Sequence, residues 1–245
     1  MPAAARVRDR VAADFAVAPV AHDVGHLERV ARLAQHIATR EGAPPEVAAV
    51  AAYVHDYHRL AEHLTGGVVR PEAPWTDIAR VLTDCAVPAD WWPDIRDAVA
   101  LTGHFGFAGD DLAGRSPVAR CVHDADNLDA IGAIGIARAF MYGGAIAEPL
   151  WLPEAEQLAA YRDGPTSSVV AHFYEKLVLL SGDMLTGTGR ALAAERQVFL
   201  LDFLRRFHEE WGDAASAPVR ELTAGDGRGG SPSTRRSSPP RTPST

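Results

Sequence analysis

The sequence predicts an all-α protein, and three observations carry that reading. Apolar residues recur at steps of three and four in segment after segment, short alternating strand patterns are missing, and Gly and Pro cluster between the periodic stretches. The 245 residues, 47% hydrophobic and 23% charged, match an ordinary globular composition with enough apolar material for a sizeable core.

The first helix to be read places Val30, Leu33, Ala34 and Ile37 on one stripe, starting near His22 and stopping at Gly42. The next follows Pro44 and Pro45 and runs from Glu46 to Asp56; it is apolar on nearly every side and is expected to be central and buried. Further helical patterns cover Thr76 to Cys85, Pro93 to His104 and Pro117 to about Tyr142, where glycines permit close helix contact or a break. Two more run from Ser168 to Leu180 and from Gly189 to Trp211. Loops are expected at Gly66 to Pro74, Gly106 to Ser116 and Tyr142 to Pro153.

No repeat of solenoid period and no linker divides the first 211 residues, so one domain is expected over 1–211. Residues 212–245 form a Gly, Ser, Pro and Arg-rich tail, expected to be disordered because from about Thr223 it has almost nothing to bury. The net charge is −8, but Arg228, Arg235, Arg236 and Arg241 against Asp226 make residues 223–245 locally +3, which leaves the body at −11. Such a body repels a phosphate backbone, so nucleic-acid binding is not expected and a nucleotide needs a metal or a local basic cluster. Cys85 and Cys121 cannot build a disulfide framework, and no secretory or membrane-spanning segment is visible; a cytoplasmic location is expected.

The chemistry concentrates in separated His and Asp residues: His26, the doublet His55-Asp56, and Asp126 within His123-Asp124-Ala125-Asp126. Mixed imidazole and carboxylate ligands without a thiol suit a divalent ion of the transition series rather than a structural zinc. Taken singly, each residue has an ordinary structural account, such as a core histidine or a capping carboxylate. Their order and spacing together point to a metal site.

That order resembles the HD superfamily of metal-dependent phosphohydrolases. His22 to Val30 is similar to the family's first helix, Ala51 to Asp56 to its second, and Cys121 to Arg138 to a signature of bacterial HD hydrolases, with His172 to Leu177 as a further match downstream. The resemblance spans roughly residues 12–211 and implies a helical bundle holding one divalent ion (Mn, Mg, Co, Ni, Fe or Zn) between central helices. It implies His26, His55, Asp56 and Asp126 as ligands, with Asp124 the competing choice for the last.

A divalent ion can supply hydroxide at neutral pH and polarise a phosphoryl oxygen, so hydrolysis of a phosphate ester or anhydride follows, on a small metabolite and above all a nucleotide. Asp56 and His104 are read as catalytic, His104 as the leaving-group acid opening the loop Gly103-His104-Phe105-Gly106. Arg29, Arg138 and Lys176 are the candidate substrate cations, and His22, Asp23 and Asp129 are read as groups that orient the ligands. Asn127 and the run Tyr57-His58-Arg59 depart from the family pattern, which leaves the substrate open. Three rival readings stand beside it: a metalloprotease helix, which lacks the Glu base; a di-iron HD oxygenase, which needs two more well-placed histidines; and a nucleotide-sensing or partner-binding module without turnover.

Overall fold

The computed structural model describes residues 1–18, 21–152 and 166–212, and among them there is no strand. The helices are α1 (Ala3–Asp14), α2 (Val24–Glu41), α3 (Pro45–Val54), α4 (Tyr57–Thr65), α5 (Trp75–Asp84), α6 (Trp92–Leu101), α7 (Pro117–Asp129), α8 (Gly132–Ala145), α9 (Val169–Glu175) and α10 (Gly187–Trp211). The chain divides into two units, Met1–Phe203 and Leu204–Thr245, with the boundary inside α10. The site lies in the first. Of the tail expected at 212–245, all but Gly212 falls outside the described residues. None of the described helices is long and apolar enough to cross a membrane.

Helix α3 is the hub. It packs against α1, α2, α6 and α7, and Val47 through Ala52 and Val54 are buried, which is why its sequence is apolar all round. Helix α2 presents the Leu27, Val30, Ala34 and Ile37 stripe to α3 and α7 and ends at Gly42, whose φ of 72° is the left-handed conformation that closes a helix. Both cysteines are buried and unpaired.

Several boundaries differ from the sequence reading. The second helix ends at Val54, and His55 and Asp56 form the turn into α4, a helix that the sequence reading left out along with α1. The long pattern from Pro117 breaks at Ala130 and Ile131, because Gly132 has a φ of 76° that cannot continue α7. Helix α9 stops at Glu175, and a tighter 3₁₀ turn carries Leu177–Asp183.

A three-ring cluster fixes the outer helices. Phe140 of α8, Phe173 of α9 and Phe203 of α10 have centroids 5.7 to 5.8 Å apart, so α8 and α9 are held as neighbours.

Candidate metal centre

Three local features aim the site residues inward. Asp23 caps α2, its Oδ1 accepting from the His26 amide at 2.8 Å, which sets His26 in the first turn of the helix. The turn between α3 and α4 delivers His55 and Asp56 side by side, and α7 carries Asp126 on the face toward them.

The four groups converge. His26 Nε2 is 3.2 Å from Asp56 Oδ2 and 3.5 Å from Asp126 Oδ1; His55 Nε2 is 3.4 Å from Asp56 Oδ1 and 3.6 Å from the same Asp126 oxygen. Metal–ligand bonds of about 2.1 Å place neighbouring ligand atoms about 3.0 to 3.4 Å apart, so these separations suit donors around one ion.

The hydrogen-bond pattern sharpens the fit. His26 Nδ1 donates to Asp129 Oδ2 at 2.9 Å, and His55 Nδ1 donates to the Ala52 carbonyl at 2.7 Å. Each bond leaves the Nε2 lone pair facing the centre, and both Nε2 atoms are buried without a hydrogen-bond partner. Two orphaned imidazole nitrogens beside two carboxylates are what a divalent cation would satisfy.

Charge reinforces this arrangement. Burial opposes protonation of His55, but the carboxylates of Asp56 and Asp126 outweigh it and raise its pKa to about 9 in the absence of an ion. Burial likewise opposes ionisation of Asp56 and Asp126, yet the neighbouring imidazoles hold both below the usual carboxylate range. The site is a negative trap in which a cation could take the place of protons.

Around it lies a supporting shell. Asp129 accepts from His26, from Arg29 Nε at 2.7 Å and Nη2 at 2.9 Å, and from Arg138 Nη1 at 3.0 Å. Burial opposes its charge, but these donors lower its pKa to about 2. His22 Nδ1 donates to Asp56 Oδ2 at 2.6 Å. Arg29, read from sequence as a substrate cation, therefore has its guanidinium committed to Asp129 and does not line the cavity described below. Its helical step from His26 brings it close to the centre while its partner lies a hundred residues away.

Asp124 and Asp126 separate cleanly. Asp124 is fully buried and accepts from the Leu185 and Thr186 amides, each at 2.8 Å, and from the Thr186 hydroxyl at 2.6 Å. Thr186 in turn caps α10 through the Gly189 amide, and a side chain at Gly189 would collide with the Asp124 carboxylate. Asp124 thus ties the start of α10 to α7, and Asp126 alone of the two faces His26 and His55.

A cavity of about 640 Å³ opens onto the centre. Asp56 and Asp126 lie at its edge with His22, and its walls carry Arg59, Arg138, His172 and Lys176. Arg138 is braced by the Asp129 and Ala21 carbonyls, and Lys176 Nζ sits 4.5 Å from the Phe105 ring centroid. Arg59, which the sequence reading does not name as a candidate, reaches the cavity from the first turn of α4, directly after the doublet. Gly103 and Phe105 line the cavity, but His104 does not: its Nδ1 is 3.4 Å from Asp110 on the protein surface.

Comparison with known proteins decides the family. The HD domain family matches residues 23–131, the span that holds all four converging groups. The uncharacterized protein YpgQ of Bacillus subtilis is 32% identical over 192 residues, covering 77% of this chain and 84% of its own. The chain belongs to the HD domain family. Its HD fold is also that of a Lactobacillus plantarum crystal structure, with a TM-score of 0.69 at 31% identity over 86% of this chain and 97% of the other. An HD-superfamily hydrolase from Bacillus thuringiensis superposes with a TM-score of 0.63 at 27% identity, covering 85% and 96%. The crystal structure of B. subtilis YpgQ in complex with ADP gives 0.62 at 28% identity, covering 85% and 94%.

Proposed function

We propose that this HD protein is a metal-dependent phosphohydrolase acting on a phosphate ester or anhydride of a small metabolite, with a nucleotide as the substrate. The observation that carries the reading is the juxtaposition of the orphaned His26 and His55 nitrogens with a cavity walled by Arg59, Arg138 and Lys176, in a chain whose net charge is −8. Cations gathered in one cavity of an acidic protein suit an anion. The ADP complex of YpgQ supports a nucleotide.

His26, His55, Asp56 and Asp126 would hold the ion, which when bound supplies Lewis acidity toward a phosphoryl oxygen and acidifies water. The chain's own residues do the rest. Asp129 fixes the His26 ring, His22 fixes the Asp56 carboxylate, and Arg138 and Lys176 orient and neutralise the phosphate oxygens that lie away from the ion. Arg59, whose Nη1 pairs with Glu62 at 2.9 Å, adds a third cation to the same wall. The di-iron oxygenase reading needs two further inward histidines between the doublet and Asp126; His63 lines the cavity, but His104, the best separated of them, lies outside it.

A phosphate-release screen tests the proposal, with Mn, Mg, Co or Ni and a panel of nucleoside mono-, di- and triphosphates, cyclic nucleotides and sugar phosphates. Metal-dependent release from a nucleotide is expected. Stoichiometric metal with no hydrolysis of any member would favour the sensing module instead.

A further inference from the structure

The cavity changes character along α8. Arg138 touches the ligand-orienting Asp129, whereas Ala139, Tyr142 and Ile146 continue the lining away from it, Ile146 lying about 12 Å farther along the helix direction. Val169 of α9 faces the same space. At this end stands one acidic group, Glu148, whose Oε1 accepts from the Thr166 hydroxyl at 2.6 Å. Its Oε2 has no hydrogen-bond partner among the described residues.

This end is built rather than incidental. The Val169 amide donates to the Pro149 carbonyl at 2.9 Å and the Val170 amide to the Leu150 carbonyl at 3.1 Å, which fastens the start of α9 to the segment bearing Glu148. Gly143 lets the two approach: a Cβ there would collide with Val169 and come within 3.2 Å of Glu148 Oε2.

An inorganic phosphate or a short sugar phosphate has no use for an aromatic ring, two aliphatic side chains and a carboxylate at this remove from the cations. A nucleobase does. We infer that Tyr142, Ile146, Val169 and Glu148 form a base subsite, in which Tyr142 offers a stacking face and Glu148 Oε2 accepts from an exocyclic amino group. The inference rests on the phosphohydrolase reading and deepens it: amino-bearing bases are preferred over hypoxanthine, because a carboxylate accepts a hydrogen bond from an amine and repels a carbonyl oxygen. Loss of a stacking contact or of a charge-assisted hydrogen bond weakens binding on the order of tenfold.

Calorimetric titration of the manganese-replete protein with ADP, IDP and inorganic pyrophosphate tests it. ADP should bind roughly tenfold or more tighter than either of the others. Tyr142→Ala, at a half-exposed position that tolerates truncation, should weaken ADP about tenfold and leave pyrophosphate unchanged. Glu148→Gln, which adds a donor facing the ligand, should erase the difference between ADP and IDP. Pyrophosphate binding as tightly as ADP, with both variants neutral, overturns the subsite while leaving the phosphate reading standing. Failure of all three ligands to bind overturns both.

Discussion

Asp129 and His26 meet across a hundred residues of sequence through a 2.9 Å bond from Nδ1 to Oδ2, and that bond decides which imidazole nitrogen faces the candidate metal centre. The same carboxylate collects Arg29 and Arg138, so one side chain locks the His26 ring and both arginines in place. Replacing Asp129 with Asn should keep the fold but weaken manganese binding about 10- to 100-fold, as losses of such supporting partners do. Competition titration against a chelator measures it. Unchanged affinity would mean that the His26 orientation is held by other contacts.

The two aspartates of α7 should behave differently. Asp126→Ala should abolish metal binding with little change in stability. Asp124→Ala should retain metal and lose stability, because the Leu185 and Thr186 amides and the Thr186 hydroxyl are left without their acceptor. A cost of about 3 kcal/mol, or a Tm lower by about 10 °C, is expected. Metal analysis beside thermal melts of both variants reads the contrast, and loss of metal in Asp124→Ala at full stability would reverse the assignment.

This contrast also marks where the sequence stops being legible. The stripe of α2, its Gly42 stop and the apolar hub α3 follow from local periodicity, and the His-His-Asp-Asp order brings together four residues that do converge. Local spacing could not choose between Asp124 and Asp126, since the choice depends on a partner at Thr186, sixty residues on. Arg29 misled for the same reason: helical neighbourhood to His26 says nothing of a carboxylate arriving from α7. Helix α4 went unread because His58, Arg59, Glu62 and His63 crowd its nine residues, and with it went Arg59 as a cavity residue.

Lys176 offers a test of the cavity wall that is independent of the ion. Lys176→Met should keep full metal occupancy, yet catalytic efficiency should fall on the order of a hundredfold, the usual loss for one preorganised electrostatic contact. Steady-state kinetics on metal-replete protein decides it. Wild-type efficiency would remove Lys176 from the substrate site and leave Arg59 and Arg138.

His172 supplies a pH dependence away from the four converging groups. Burial, with Lys176 adding to it, lowers its pKa to about 4, against about 6.5 in an unfolded chain. Between those values the unfolded chain binds the proton and the folded one does not. Stability therefore falls as pH drops from about 6.5 toward 4 and is unaffected by this group above that window. Urea melts at pH 7.5 and 5 should show a larger loss for the wild type than for His172→Gln; equal losses would show that His172 titrates normally in the folded protein.

The metal content of His55→Ala beside wild type addresses the site itself. His55 is fully buried with its Nε2 orphaned against Asp56 and Asp126, while the apolar packing of α3 does not depend on an ion. Elemental analysis after manganese loading and desalting should find one ion per wild-type chain and none in His55→Ala, with circular dichroism still helical. One ion per chain retained by the folded variant would contradict the account.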